Sequence, residues 1–127
     1  METDPVILQL APGVSLSTPI GMRFRWLVAP HDLGPITFAL NTIMVAAREQ
    51  PGCVNCRLST DLGSRVALEY VEEWKAEEDL KRQVRSSRFA HIAELIERSL
   101  EKPQVEFSVP GGIRGLDYAE EVRGGSA

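Results

Sequence analysis

Between Met22 and Ala47 the spacing of apolar residues changes from every second position to every third or fourth, and one element cannot satisfy both. In "MRFRWLV" (22–28), Met22, Phe24, Trp26 and Val28 share one face, while Arg23, Arg25 and Leu27 share the other. That is a strand with one strongly apolar side. From Ile36 onward the apolar positions are Ile36, Leu40, Ile43, Met44 and Ala47, the stripe of an amphipathic helix. "HDLGP" (31–35) is the loop between them, with Pro35 suited to the first helical position. Pro51 cannot continue the helix, and Gly52 supplies a permissive turn.

Alternation then returns. "CVNCRLS" (53–59) sets Val54, Cys56 and Leu58 against Cys53, Asn55, Arg57 and Ser59. "TDLGS" (60–64) reads as a turn, and "RVALEYVEEW" (65–74) as the second arm of a β-hairpin. On that arm Val66, Leu68, Tyr70, Glu72 and Trp74 face one way, and Ala67, Glu69, Val71 and Glu73 the other. "KAEEDLKRQV" (75–84) turns helical, with pairs such as Glu77–Lys81 and Glu78–Arg82 on a solvated face. Ser86 or Ser87 is placed to cap a new helix carrying Phe89, Ile92, Ala93, Ile96 and Leu100. Pro103 closes it, and "QVEFSV" (104–109) is a last strand before the "PGG" turn. The order strand, helix, strand, strand, helix pair, strand is the split βαβ pattern of a ferredoxin-like α+β fold with an antiparallel sheet. Residues 1–21 read as an N-terminal arm with an edge strand at 6–10, and 22–109 as the domain. Residues 110–127 are an extension that adds a strand through Leu116 and Tyr118 and then frays.

A chain of 127 residues has room for one core. Its net charge of −4 argues against a nucleic-acid partner, since phosphate binding needs concentrated Lys and Arg. No apolar run reaches membrane-spanning length. Glu2 and Asp4 stand where a signal peptide carries positive charge, and two cysteines make no disulfide framework, so a cytoplasmic location is expected. On the sheet face away from the helices, Leu27, Ala67 and Val71 call for a cover, and a second copy of the chain is the simplest one.

Residues 22–109 resemble the antibiotic biosynthesis monooxygenase domain of the dimeric α+β barrel group. The resemblance rests on the first strand, "REQPGCVNCRLS", "LEYVEEWKAEEDLKRQVRSSRF" and the strand after Pro103. It implies a homodimer with two sheets packed face to face and a pocket in each subunit between sheet and helices. It also implies cofactor-free oxygenation of a small phenolic or quinol-type ligand, with no cofactor and no metal. Haem-degrading enzymes and isomerases are similar too, and many members have no known activity. Trp74 takes the tryptophan position shared by oxygenase and haem-degrading members. Tyr70 stands where polyketide oxygenases use Asn. Leu80 and Glu94 replace their pocket Tyr and Arg, and Val84 replaces the His of haem-degrading relatives. Gln83 and Arg88 stand at the two His positions of quinol-type members. Haem binding is therefore not expected.

The candidate acid–base residues are Glu72, Tyr70 and His91, and the candidate substrate-binding residues are Trp74, Trp26, Phe89 and Arg25. Each has a plainer reading. Glu72 is a buried carboxylate with a raised pKa if its face lines a pocket, and an exposed strand-end residue if it does not. His91 is a general acid or base, or a partly exposed helix histidine. Trp74 and Trp26 stack on substrate or fill the core. Arg25, with Arg23, steers an anion or pairs with Glu69 or Glu73 across strands. A non-catalytic binding or interaction module on the same fold is the alternative function. A thiol redox role for Cys53 and Cys56 is not expected. Residues three apart on a strand point to opposite faces about 10 Å apart, whereas a disulfide needs Cα atoms within about 7 Å.

Overall fold

The computed structural model describes residues 19–124; the arm through residue 18, with its expected edge strand at 6–10, and residues 125–127 lie outside the described residues. The alternating segment forms β1 (Ile20–Leu27), and a 3-10 turn at Pro30–Asp32 leads into α1 (Leu33–Arg48). The hairpin follows as β2 (Cys53–Leu62) and β3 (Val66–Trp74). Two short helices, α2 (Glu77–Val84) and α3 (Ser87–Ile96), precede β4 (Gln104–Val109), β5 (Gly112–Arg114) and α4 (Leu116–Gly124). The sheet runs β2-β3-β1-β4-β5, and every neighbouring pair is antiparallel.

The period-2 pattern sorts the faces as expected. Met22, Phe24 and Trp26 are buried on the helix side of β1. Arg23 lies on the other side with Glu69 at 3.4 Å, and Arg25 lies 3.9 Å from Asp61. Opposite the sheet, α1 buries Ile36, Leu40, Ile43, Met44 and Ala47. Asp79 reaches back to the Ala76 backbone N–H at 3.1 Å, so an acidic first turn begins α2. Ser86 caps α3 by accepting from the Phe89 N–H at 3.3 Å.

The boundaries shift where local hydrogen bonds outvote the pattern. β1 starts at Ile20, because its ladder with β3 continues through Gly21 and Ile20 to Trp74. A side chain at Gly21 would collide with the Glu72 carbonyl oxygen, so only glycine lets the two strands approach there. Pro35 falls within the first turn of α1 and not at its first position. The β2–β3 ladder runs on through Thr60, Asp61 and Leu62, and the turn narrows to residues 63–65. In α2, Arg82 bonds Asp79 at 2.8 Å in place of Glu78, while Lys81 lies 4.0 Å from Glu77 as expected. α3 stops at Ile96, and Leu100 lies beyond it, 55% exposed.

The C-terminal segment differs most. β5 is only Gly112–Arg114, and Leu116 and Tyr118 belong to a helix. The spacing of Tyr118, Ala119 and Val122 puts all three on one buried side, and Asp117 bonds the Gly115 N–H at 3.2 Å to turn the chain. Tyr118 then closes the core, 5.2 Å from the Phe107 ring. On the outer sheet face, Ala67 and Val71 are already buried within one chain, so the expected need for a cover does not rest on them.

Candidate functional site

Three of the candidate residues meet on the helix-facing side of β3. Tyr70, Glu72 and Trp74 alternate along one strand, and all three are buried, with Glu72 at 0% exposure. An unpaired carboxylate there would be costly. Glu72 has three donors: Tyr70 OH at 2.5 Å and Gln83 Nε2 at 3.0 Å on Oε2, and Trp74 Nε1 at 3.0 Å on Oε1. Two further groups support these donors. The Tyr70 hydroxyl also lies 3.3 Å from Cys56 Sγ, and Arg88 Nε donates to Gln83 Oε1 at 2.9 Å.

Burial is the largest influence on Glu72 and holds its pKa above the ordinary carboxylate value. The bonds from Tyr70, Trp74 and Gln83, and the Arg88 charge, oppose that rise without cancelling it. Burial and the neighbouring Glu72 push the Tyr70 phenol far up. Burial also pushes the Cys56 thiol up to about 12, although the Tyr70 bond works the other way. Burial thus raises all three groups above their ordinary values.

The chain Cys56–Tyr70–Glu72 has two self-consistent proton arrangements. With Glu72 ionised, the thiol donates to the phenol oxygen and the phenol donates to Oε2. With Glu72 protonated, Oε2–H donates to the phenol oxygen and the phenol donates to sulfur. The arrangement can take up one proton by reversing both bonds, and the Cys56 S–H then gives up its acceptor in the chain.

The remaining candidates do not join this group. Trp26 faces Leu68, four residues along β3 from Glu72, or about 13 Å. Its indole N–H is buried with no partner among the described residues. Phe89 packs 6.1 Å from the rings of both Phe24 and Phe107, inside the core. Arg25 lies on the opposite sheet face, because alternation from Phe24 requires it. His91 is exposed on α3, whose buried side carries Phe89, Ile92, Leu95 and Ile96. A wall of Trp26, Phe89 and Arg25 around a Glu72–His91 pair is therefore not what these elements build. Among the described residues no three His, Cys, Asp or Glu side chains are grouped to hold a metal, and no helix is long and apolar enough to cross a membrane.

Gln83, Arg88 and Cys56 complete the network, and none was a candidate. Gln83 was findable, since it stands three residues after Leu80 and one before Val84, on the buried side of α2. Gln83 and Arg88 also occupy the two positions that carry His in the quinol-type pattern. The alternation expected of Cys53 and Cys56 does not hold at the start of β2. The ladder slips between Cys53 and Asn55, so Cys53 faces Trp74 while Cys56 faces Glu72. This bulge turns Val54 outward, 64% exposed, and brings both cysteines to the same sheet face. The two thiols therefore share a face, and both are free. The raised thiol pKa values of Cys53 and Cys56 still oppose nucleophilic chemistry.

One hollow of about 220 Å³ on the outer sheet face borders Glu72, with Gly21, Arg23, Val71, Glu73 and Ser108 around it. Another of about 500 Å³ lies beside the end of α3, by Ile96, Leu100 and Leu116.

No family model matches the sequence, and no curated protein matches it. Solved structures do. A protein from Nitrosomonas europaea, provisionally named an antibiotic biosynthesis monooxygenase, superposes with a TM-score of 0.61 at 10% identity, covering 78% of this chain and 92% of its own. A Caulobacter crescentus protein with the same provisional name gives 0.60 at 16% identity, over 69% and 85% of the two chains. A conserved protein from Methanosarcina mazei gives 0.58 at 20% identity, over 68% and 88%. The α+β architecture, the antiparallel sheet and these superpositions together give this chain the fold of the antibiotic biosynthesis monooxygenase-like proteins.

Proposed function

We propose that the protein is a cytoplasmic, cofactor-independent monooxygenase of a small phenolic or quinol-type molecule, working as a homodimer through the outer sheet face. The observation that carries this reading is the wholly buried Glu72, kept hydrogen-bonded and weakly acidic, with a phenol as its shortest partner. A buried carboxylate with raised pKa is suited to take a phenolic proton. The ionised substrate then reduces oxygen itself: one oxygen atom enters the ring, the other leaves as water, and the ring becomes a quinone. The protein need supply only a dry site, an aromatic wall at Trp74, and Glu72. In the described arrangement the Tyr70 hydroxyl holds the place on Oε2 that a substrate phenol would take, so substrate entry displaces it.

The test is oxygen consumption by metal-free protein with a panel of hydroquinones and phenols, against Glu72→Gln. Uptake above buffer is expected, lowered about 10²-fold or more in the variant. No uptake across the panel sinks the enzyme reading. A specific observation favours a second one. Tyr70 and Glu72 are both at 0% exposure with their polar atoms matched, as in a structural network of a non-catalytic binding or interaction module. A phenol that raises the melting temperature of the protein without consuming oxygen would support that module.

A further inference from the structure

Glu72 receives a donor from α2, but the amide that supplies it is symmetric enough to point either way. Gln83 can turn its NH₂ or its carbonyl toward Oε2, and the two orientations favour opposite protonation states. An NH₂ stabilises the ionised carboxylate; a carbonyl would accept from the protonated acid. What decides the orientation is the group behind the amide. Ser86 Oγ lies 3.5 Å from Gln83 Oε1, but its proton goes to the Gln83 backbone carbonyl at 2.6 Å. Arg88 Nε, at 2.9 Å, is left as the donor to Oε1. A guanidinium only donates, so Oε1 must face Arg88 and the NH₂ must face Glu72.

Arg88 also sits in the first turn of α3, where a cation opposes the helix dipole. Its position therefore does not serve the helix, and it is half-buried, linking the surface to the core. The geometry points to Arg88 as a positioning residue that locks the Gln83 amide and so sets the proton affinity of Glu72. Its bearing on catalysis rests on Glu72 being the proton acceptor proposed above. The other groups around Glu72 are Tyr70 and Trp74 on its own strand, Met22 from β1, Cys56 from β2 with Cys53 opposite Trp74 beside it, and uncharged Gln83 from α2. Arg48, at the end of α1, bonds the Cys56 carbonyl at 2.7 Å and bears on the two thiols.

The test is a pH titration followed by infrared difference spectroscopy, reading the carboxylic acid C=O band that is lost in Glu72→Gln. Arg88→Met is expected to raise the Glu72 midpoint by about one pH unit, a tenfold gain in proton affinity. Arg88→Lys, which keeps a cationic donor, is expected to move it less. In a Gln83→Leu background the Arg88→Met shift should shrink to less than half, because the relay is gone and only through-space charge remains. Equal shifts in both backgrounds, an unmoved midpoint in Arg88→Met, or no Glu72 band at any pH at which the protein is folded would each overturn the assignment. The readout needs no substrate, so a failure of oxygen uptake leaves this result standing, and the reverse also holds.

Discussion

The layer between sheet and helices holds two kinds of core side by side. At one end Phe24, Phe89, Phe107 and Tyr118 fit by shape, with neighbouring ring centroids 5.2–6.1 Å apart. At the other end Tyr70, Glu72, Trp74 and Gln83 fit by direction, each bond having a defined donor and acceptor. The two ends touch, since Phe24 faces Tyr70 across β1 and β3. Both are equally dry, so burial does not distinguish them. What distinguishes them is the response to a lost atom. The aromatic end loses contact energy in proportion to volume. The polar end loses a match, and the group left behind bears the desolvation cost alone.

Removing shape should have the largest effect. Phe107→Ala is expected to cost about 3–5 kcal/mol in denaturant unfolding, by the same amount at every pH between 5 and 8 (roughly neutral conditions). A strong pH dependence of that cost would mean the two ends are not separable. Tyr70→Ala removes a ring of similar size but leaves a cavity with a carboxylate in its wall, and the expected cost is again about 3–5 kcal/mol. Here added phenol should restore part of the stability, and benzene less, since only phenol returns a donor to Glu72. Equal rescue by both would show that the polar end behaves as a plain cavity.

Glu72→Gln is nearly isosteric and tests direction alone. Both carboxylate oxygens accept in the wild type, whereas the amide presents NH₂ to one of three donors, at a cost of about 1–3 kcal/mol. The pH profile sharpens the comparison. Glu72 binds its proton more tightly folded than unfolded, so its contribution to stability is greatest below the ordinary pKa of 4.5 and declines as pH rises through the raised folded value. Urea midpoints measured across that range should show a decline in the wild type that is smaller in Glu72→Gln. At the other extreme, His91→Ala, on the exposed side of α3, should alter stability by no more than about 0.5 kcal/mol and leave oxygen uptake unchanged. A loss of uptake in that variant would return His91 to the site.

The positions read from periodicity and the positions read from likeness fared differently. Alternation in β1 and β3 placed Tyr70, Glu72 and Trp74 on one face, because a strand leaves no other choice. Helical spacing placed Ile36, Leu40, Ile43, Met44 and Ala47 inward for the same reason. The tail misled, because three residues of "GIR" satisfy a strand edge while "LDYAEEV" satisfies a helix just as well. Cys53 and Cys56 misled because one bulge reverses the parity of everything before it, and nothing in "PGCVNC" announces where a ladder slips.

The sequence by itself determined the element order, the apolar faces and the company Glu72 keeps along β3, since these follow from local period and turn chemistry. Only the tertiary structure decided that Gln83 from α2 bonds that carboxylate, with Arg88 from α3 behind Gln83 and Cys56 from β2 behind Tyr70, and that Trp26, Phe89, Arg25 and His91 do not join them. The physical reason is range: a period fixes which way a side chain points, within a few residues. A hydrogen bond between residues 72 and 83, or a thiol opposite a carboxylate across two strands, depends on how helices and strands pack and register, and that is a property of the whole fold.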